Sequence, residues 1–442
     1  MTPTSGIPWA PLFAAHVAAR QKLAAAALAA AKFDALVISS GVPFTYFADD
    51  QEPQLRETPH FAHWTPLRGP HHLLAIRPGN KPKLARFAPE DYWYEQAPLG
   101  APFWAGEFEV HEALTRQAAW NIVKSSGRVA YIGDEPEVAK ENGFAPDCIN
   151  PAALVARLDW DRSFKTEYEV TCMEEAEKIA SWGHRAALAA FDTGASELEI
   201  HLAYVTACNS TEIDLPYPTI IAHDEKGATL HYMGKRTKRD GRVLLIDAGA
   251  KHLGYCSDIT RTWTRKECDP VFRDLVKGVD KLQRRLCDMV LPGLPYPDLH
   301  NAAHVMIGDL LNALEVITVG GQDASERGLT RPFFPHGLGH FLGIQVHDIA
   351  GRQKEPAGGT NPPDARHPFL RTTRVIAEDQ VFTVEPGVYF IEMLLREHRT
   401  GADAEFFNWP LIERLAPFGG VRIEDNVLVT KGGHRNLTRP HI

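Results

Sequence analysis

Four carboxylates stand in apolar surroundings. Asp247 closes the run Val243-Leu-Leu-Ile, and Glu385 closes Val381-Phe-Thr-Val. Asp258 lies in Ser257-Asp-Ile-Thr-Arg-Thr-Trp, which alternates like a strand, and Glu424 lies in Val421-Arg-Ile-Glu. Acidic side chains are rarely buried unless they are paired or hold a metal. Taken singly, each has a plain alternative, because an Asp at a strand end often forms a turn. Between the second and third carboxylates runs Pro335-His-Gly-Leu-Gly-His-Phe-Leu-Gly-Ile-Gln-Val-His-Asp, which places His336, His340 and His347 within twelve residues. One histidine would be an ordinary core group. Three, among glycines that let backbone approach closely, point to a site.

Four carboxylates with one imidazole make a hard, oxygen-rich ligand set. Gathered without cations they would repel one another and take up protons. Two divalent cations balance their charge, and such a set suits Mn2+ better than a thiolate-seeking metal. The spacing of His336 and His340 matches the ends of the helical zinc motif HExxH. Gly337 occupies the Glu position, however, and two glycines argue against a helix, so that motif does not apply.

The elements that must carry these residues can be read coarsely. A helix is expected over 10–32, a strand over 34–39, and a loop rich in Pro, His and acidic residues over 49–70. Strands 72–77 and 83–87 flank Pro78-Gly79-Asn80, a hairpin turn. A helix over 111–124 and a strand over 129–132 follow. Such alternation suggests an α/β domain. A long helix opens near Lys165 with acidic residues in its first turn, and another follows Ser196-Glu-Leu-Glu. From about residue 215 short strands dominate, with helices over 270–290 and 298–314. The second domain is therefore α+β, and the boundary falls near 155–165.

A chain of 442 residues suggests two or three domains. A net charge of −9 argues against nucleic acid as the main partner. None of the six cysteines forms a CxxC pair, so free thiols in a reducing compartment are expected. No apolar run approaches the ~20 residues of a membrane span. The alanine-rich stretch after Arg20 resembles a signal peptide only superficially. Alanine is weakly apolar and the best helix former, and Lys32 interrupts the run. A cytoplasmic protein is the expectation.

The acidic and histidine residues resemble the metal site of the pita-bread metallopeptidases, the family of methionine aminopeptidase, aminopeptidase P and prolidase. That family uses Asp, Asp, His, Glu and Glu in chain order. Asp247, Asp258, His340, Glu385 and Glu424 match it inside DAG, SDITRT, HGLGH, VEPG and RIED contexts, with eleven positions from Asp247 to Asp258. Further segments, Val37–Asp50, Pro59-His-Phe and His367-Pro-Phe-Leu-Arg, are similar to bacterial Xaa-Pro dipeptidases of the PepQ type and to organophosphorus acid anhydrolases. The likeness runs from about residue 10 to about residue 435.

The resemblance implies a creatinase-like α/β domain over 1–160, concerned with dimerisation and pocket closure, and a pita-bread catalytic domain over 161–442. It implies a homodimer with two divalent ions per subunit, Mn2+ foremost. Asp258 and Glu424 would bridge the ions, with Asp247, His340 and Glu385 completing the set. A hydroxide held between ions about 3.5–4 Å apart would attack the scissile carbonyl while Glu385 moves the proton. His347 would hydrogen-bond the carbonyl or tetrahedral oxygen, and His336 and His231 would line the proline pocket. Arg422 alternates with Glu424 and either points into the site or holds a ligand carboxylate. Arg371 would pair with the substrate carboxylate, and Asp49, reaching across the dimer, would sit near its amine. Tyr217, Tyr296 and Leu370 match pocket-wall positions.

The substrate class follows from the same resemblance: Xaa-Pro dipeptides, whose tertiary amide lacks the N–H that strand-docking peptidases use. Organophosphorus triesters are an expected side activity. The alternative is aminopeptidase P-like trimming of longer Xaa-Pro peptides. A non-catalytic binding module is disfavoured because all five ligand positions remain.

Overall fold

The computed structural model describes residues 6–442, which divide into two compact units. The first comprises the described residues up to Glu169 with Glu355–Gly359, and the second Val170–Lys354 with Thr360–Ile442.

In the first unit the alanine-rich stretch forms the helix Trp9–Ala31. Lys32 ends it in the left-handed region at φ 59°, its N–H returning to the last-turn carbonyls. The chain then enters Ala35–Ser39, a strand buried on both faces. Five strands form one mixed sheet in the order Glu109–Ala113, Lys83–Phe87, Leu73–Ile76, Ala35–Ser39, Val129–Ile132. The Pro78-Gly79-Asn80 turn joins an antiparallel pair, as expected.

The helix expected over 111–124 is corrected. Its first part is the strand Glu109–Ala113, paired parallel to Lys83–Phe87. The helix begins only at Arg116, where the Thr115 side chain accepts from the Ala118 N–H. The alternating Glu-Val-His-Glu-Ala reads as strand once a neighbour accepts its hydrogen bonds, and the Thr cap fixes where helix can start. The loop over 49–70 also carries a short helix, Pro59–Ala62, started by proline at its first position.

The second unit is built from small antiparallel sheets with helices packed on them. Thr260–Thr264, Val243–Asp247 and Ile220–His223 form one sheet; Val381–Val384, Asp425–Thr430 and Gly433–Asn436 form another. Gly387–Tyr389 pairs with Gly420–Arg422. The helices Pro270–Asp288 and Tyr296–Ala313 lie near the expected limits. Asp269 caps the first of these, and Phe272, Leu275, Val279, Leu282 and Leu286 form its buried stripe. Ser196 and Glu199 close a capping box at the helix Glu197–Ala207. The sequence reading missed the short helices Gly321–Arg327, Glu392–Leu395 and Trp409–Leu415.

Candidate active site

Strand register brings the acidic residues together. Asp247 is the last residue of its strand and lies opposite Thr260 on one side and Ile220 on the other. Asp258 stands two residues before the strand that begins at Thr260. Thr260 makes an isolated antiparallel bridge with Glu424, whose N–H donates to the Thr260 carbonyl at 3.0 Å. The Thr260 hydroxyl donates to Glu424 Oε2 at 2.6 Å. One side-chain hydroxyl thus fixes the Glu424 carboxylate against the strand that follows Asp258.

The histidine-rich segment is irregular backbone held along Val381–Val384. The Thr383 N–H donates to the His340 carbonyl at 2.9 Å, and the Glu385 N–H to the Leu338 carbonyl at 2.8 Å. Gly339 is required for this approach, because a Cβ there would collide with the Thr383 carbonyl oxygen and the Tyr296 hydroxyl. His340 Nε2 consequently lies 3.4 Å from Asp258 Oδ2 and 3.6 Å from Glu385 Oε1. Ligand atoms of Asp258, His340 and Glu424 all fall within 4.8 Å of one another, and these three residues are buried. Asp247 joins the cluster through Arg422, whose Nη2 donates to Asp247 Oδ2 at 2.6 Å.

The electrostatics suit cations. Burial, opposed by His340 and Arg422 and reinforced by Asp258 and Asp247, pushes the Glu385 carboxyl up to about 7. Burial and the neighbouring carboxylates hold Glu424 well above the usual range, and burial raises Asp247 although Arg422 opposes it. Burial alone would lower the His340 imidazole, but its hydrogen bond to Asp258 and the charges of Glu385 and Asp258 raise it. The second oxygen of Asp247 is buried without a hydrogen-bond partner. One buried guanidinium does not balance four carboxylates, and a buried carboxylate oxygen without a partner calls for one. The five residues fit two divalent cations.

Around this centre, His336 is held at both nitrogens, by the Gly337 carbonyl and the Tyr389 hydroxyl, each at 2.9 Å. Its polar atoms are engaged, so it offers a substrate its ring carbons. Arg422 Nη1 donates to the same Tyr389 hydroxyl at 2.9 Å, and its Nε donates to Thr260 Oγ1 at 3.2 Å. Arg422 is buried and holds Asp247, Tyr389 and Thr260 at once. The His347 ring lies 4.4 Å from that of His340, its own nitrogens lowered to about 4 by burial and by the charges of His340 and Arg371. The Tyr217 hydroxyl donates to Asp258. Tyr296 is fully buried and donates to the Thr383 carbonyl at 3.1 Å, in the strand that ends just before Glu385. Leu370 is buried, whereas Arg371 and His231 are exposed. Arg371 and His231 both lie within electrostatic reach of His347. Asp49 belongs to the first unit, where its exposed carboxylate accepts from the Asp50 and Gln51 N–H groups.

Sequence reasoning missed Thr260, Thr383 and Tyr389. Thr260 was within reach, since it shares the alternating run with Asp258. Nothing in the sequence marks Tyr389, because its role depends on the pairing of Gly387–Tyr389 with Gly420–Arg422.

Comparison with known proteins agrees with this geometry. Residues 171–431 match metallopeptidase family M24, and residues 11–160 match the N-terminal domain of Xaa-Pro dipeptidases. An Xaa-Pro dipeptidase from Escherichia fergusonii is 42% identical over 435 residues, covering 97% of this chain and 98% of that one. One from Pseudoalteromonas atlantica is 39% identical over 437 residues, with 97% and 98% covered. Among solved structures, Pseudomonas aeruginosa aminopeptidase PepP superposes with a TM-score of 0.73 at 20% identity, covering 96% of this chain and 95% of that one. Proline aminopeptidase P II from Yersinia pestis gives 0.71 at 22%, with 97% of each chain covered. At that identity the two structures establish the pita-bread fold alone. The clustered acidic residues and histidine, the two matched regions and the relatives aligned over nearly the whole chain lead to one assignment: the chain belongs to metallopeptidase family M24 and carries the N-terminal domain of the Xaa-Pro dipeptidases.

Proposed function

We propose that this protein hydrolyses Xaa-Pro dipeptides, with two divalent cations, Mn2+ foremost, held by Asp247, Asp258, His340, Glu385 and Glu424. The observation that carries the reading is the convergence of Asp258, His340 and Glu424 within 4.8 Å, with Glu385 and Asp247 alongside. Bound there, the cations would supply electrophilic activation of the carbonyl and a hydroxide nucleophile at neutral pH.

The remaining chemistry belongs to the side chains. Glu385, beside His340, is placed to take a proton and return it to the departing prolyl nitrogen. His347 is neutral at pH 7 and offers an N–H toward the developing oxyanion. His336, fixed by Tyr389, and His231 form apolar and polar walls for the proline ring. Exposed Arg371 receives the terminal carboxylate in a bidentate pair. Asp49 meets the substrate amine from the partner subunit of a homodimer. Exposed Phe44 and Phe47 near it in sequence, at 64% and 102% accessibility, support a subunit surface there. The six cysteines are free, which supports a reducing, cytoplasmic setting. No helix among the described residues is long and apolar enough to cross a membrane. The same nucleophile would attack organophosphorus triesters as a side activity.

Chelator-treated protein should lose Xaa-Pro hydrolysis and regain it with Mn2+, and tripeptides of the form Xaa-Pro-Xaa should be poor substrates. Activity in the metal-free protein would sink the mechanism. Equal rates on the tripeptides would move the assignment to aminopeptidase P-like trimming.

A further inference from the structure

A second group of metal-binding side chains lies in the catalytic unit outside the five-residue centre. His300 and His304 stand four residues apart on the helix Tyr296–Ala313, on one face, and both are 1% exposed. His367 meets them from the segment that precedes Leu370 and Arg371. The rings of His300 and His367 are 4.5 Å apart, those of His304 and His367 4.6 Å, and those of His300 and His304 4.7 Å. One nitrogen from each falls within 4.8 Å of the others. Both nitrogens of His300, and Nε2 of His304, are buried without hydrogen-bond partners. Structural histidines ordinarily satisfy their buried nitrogens, so unpartnered nitrogens on two of three clustered rings call for a ligand.

We propose that His300, His304 and His367 form a second metal site that takes one divalent cation of the imidazole-seeking class, such as Zn2+. His304 Nδ1 lies 2.8 Å from the Thr330 hydroxyl, which is itself fully buried. Donation of Nδ1–H to that hydroxyl leaves the Nε2 lone pair free, the arrangement typical of a ligating histidine. A set of three imidazoles without a carboxylate favours Zn2+, Ni2+ or Cu2+, whereas the carboxylate-rich centre suits Mn2+. Arg331, which opposes protonation of His304 and His367, also opposes a bound cation. The site therefore needs all three rings, and losing one should release the ion. Phe334 separates the two centres, its ring 5.0 Å from that of His304 and 4.8 Å from that of His336. A cation here would pin the His367–Arg371 segment to the helix.

The test counts metal on the full-length protein. Chelator-stripped protein is dialysed against Zn2+ and total metal per chain is measured for wild type, His304→Asn and His367→Asn. Wild type should bind one equivalent more than either variant. The half-buried His367 provides the variant of least structural consequence, should His304→Asn fail to fold. In wild type, Cu2+ should also give an electron paramagnetic resonance spectrum with nitrogen couplings from more than one imidazole, whereas the five-residue centre can supply only that of His340. Equal stoichiometry in wild type and the folded variants, or a wild-type spectrum with at most one coupled nitrogen, would overturn the proposal. Neither readout depends on peptidase activity, so failure here leaves the dipeptidase reading untouched.

Discussion

At the scale of single residues, the charge each side chain carries decides its use. Arg371 is exposed and forms no ion pair with a carboxylate among the described residues, so its guanidinium is available to a substrate. Arg371→Ala should raise KM for Xaa-Pro dipeptides roughly 10–100-fold, the equivalent of about 1.5–3 kcal/mol for a charged hydrogen bond. It should leave hydrolysis of neutral phosphotriesters nearly unchanged. Steady-state kinetics on both substrates checks this, and equal losses would remove the carboxylate-binding role. Glu177 is a different case. It is fully buried, it accepts from Asn426 Nδ2, and its other oxygen has no partner. Burial raises its carboxyl to about 8, so the folded protein holds a proton that the unfolded chain releases above about 4.5. Folding stability therefore falls as pH rises from 4.5 towards 8. Glu177→Gln keeps the acceptor for Asn426 and removes this titration. Denaturant unfolding should show the variant more stable by about 1–3 kcal/mol at pH 8, with the gain vanishing near pH 4. A constant difference across that range would contradict the assignment.

At the scale of elements, the site depends on backbone approach as much as on ligand identity. The histidine-rich segment contains no helix, and its position is set by hydrogen bonds to Val381–Val384 and by the missing side chain at Gly339. Gly339→Ala should displace His340 and lower kcat/KM about 100-fold, since a shift on the order of 1 Å is enough to disrupt a catalytic constellation. It should also cost about 1–3 kcal/mol by overpacking. Gly432→Ala is the control, because a Cβ there meets nothing within 4 Å. Comparable losses in the two variants would refute the steric argument.

At the scale of the molecule, buried titratable groups bound the pH range of stability from both sides. Against the Glu177 effect stands His184, fully buried, with Nε2 2.9 Å from the Ala248 carbonyl and its imidazole held down at about 3 by burial. A lowered histidine favours the neutral form in the folded state. Its contribution is complete above about 6.5 and is lost as pH falls towards 3, at up to about 1.4 kcal/mol per pH unit. Wild-type melting temperature should therefore fall on acidification below 6.5, and His184→Asn should flatten that limb. An unchanged acid limb in the variant would show that other groups control it.

The sequence alone determined the family and, through it, the proposed ligand set, because metal chemistry restricts residue type and order. Asp247, Asp258, His340, Glu385 and Glu424 are legible for that reason, as are helices marked by acidic first turns and caps. The strand Glu109–Ala113 was not legible, since its conformation depends on a parallel neighbour that lies far off in the chain. Tertiary structure alone decided which hydroxyls hold which side chains: Thr260 on Glu424, and Tyr389 between His336 and Arg422. It also decided that His300 and His304 meet His367, which a spacing of four residues cannot announce. Side-chain chemistry is written residue by residue, whereas hydrogen-bond partners and buried charge exist only once distant segments share one low-dielectric space.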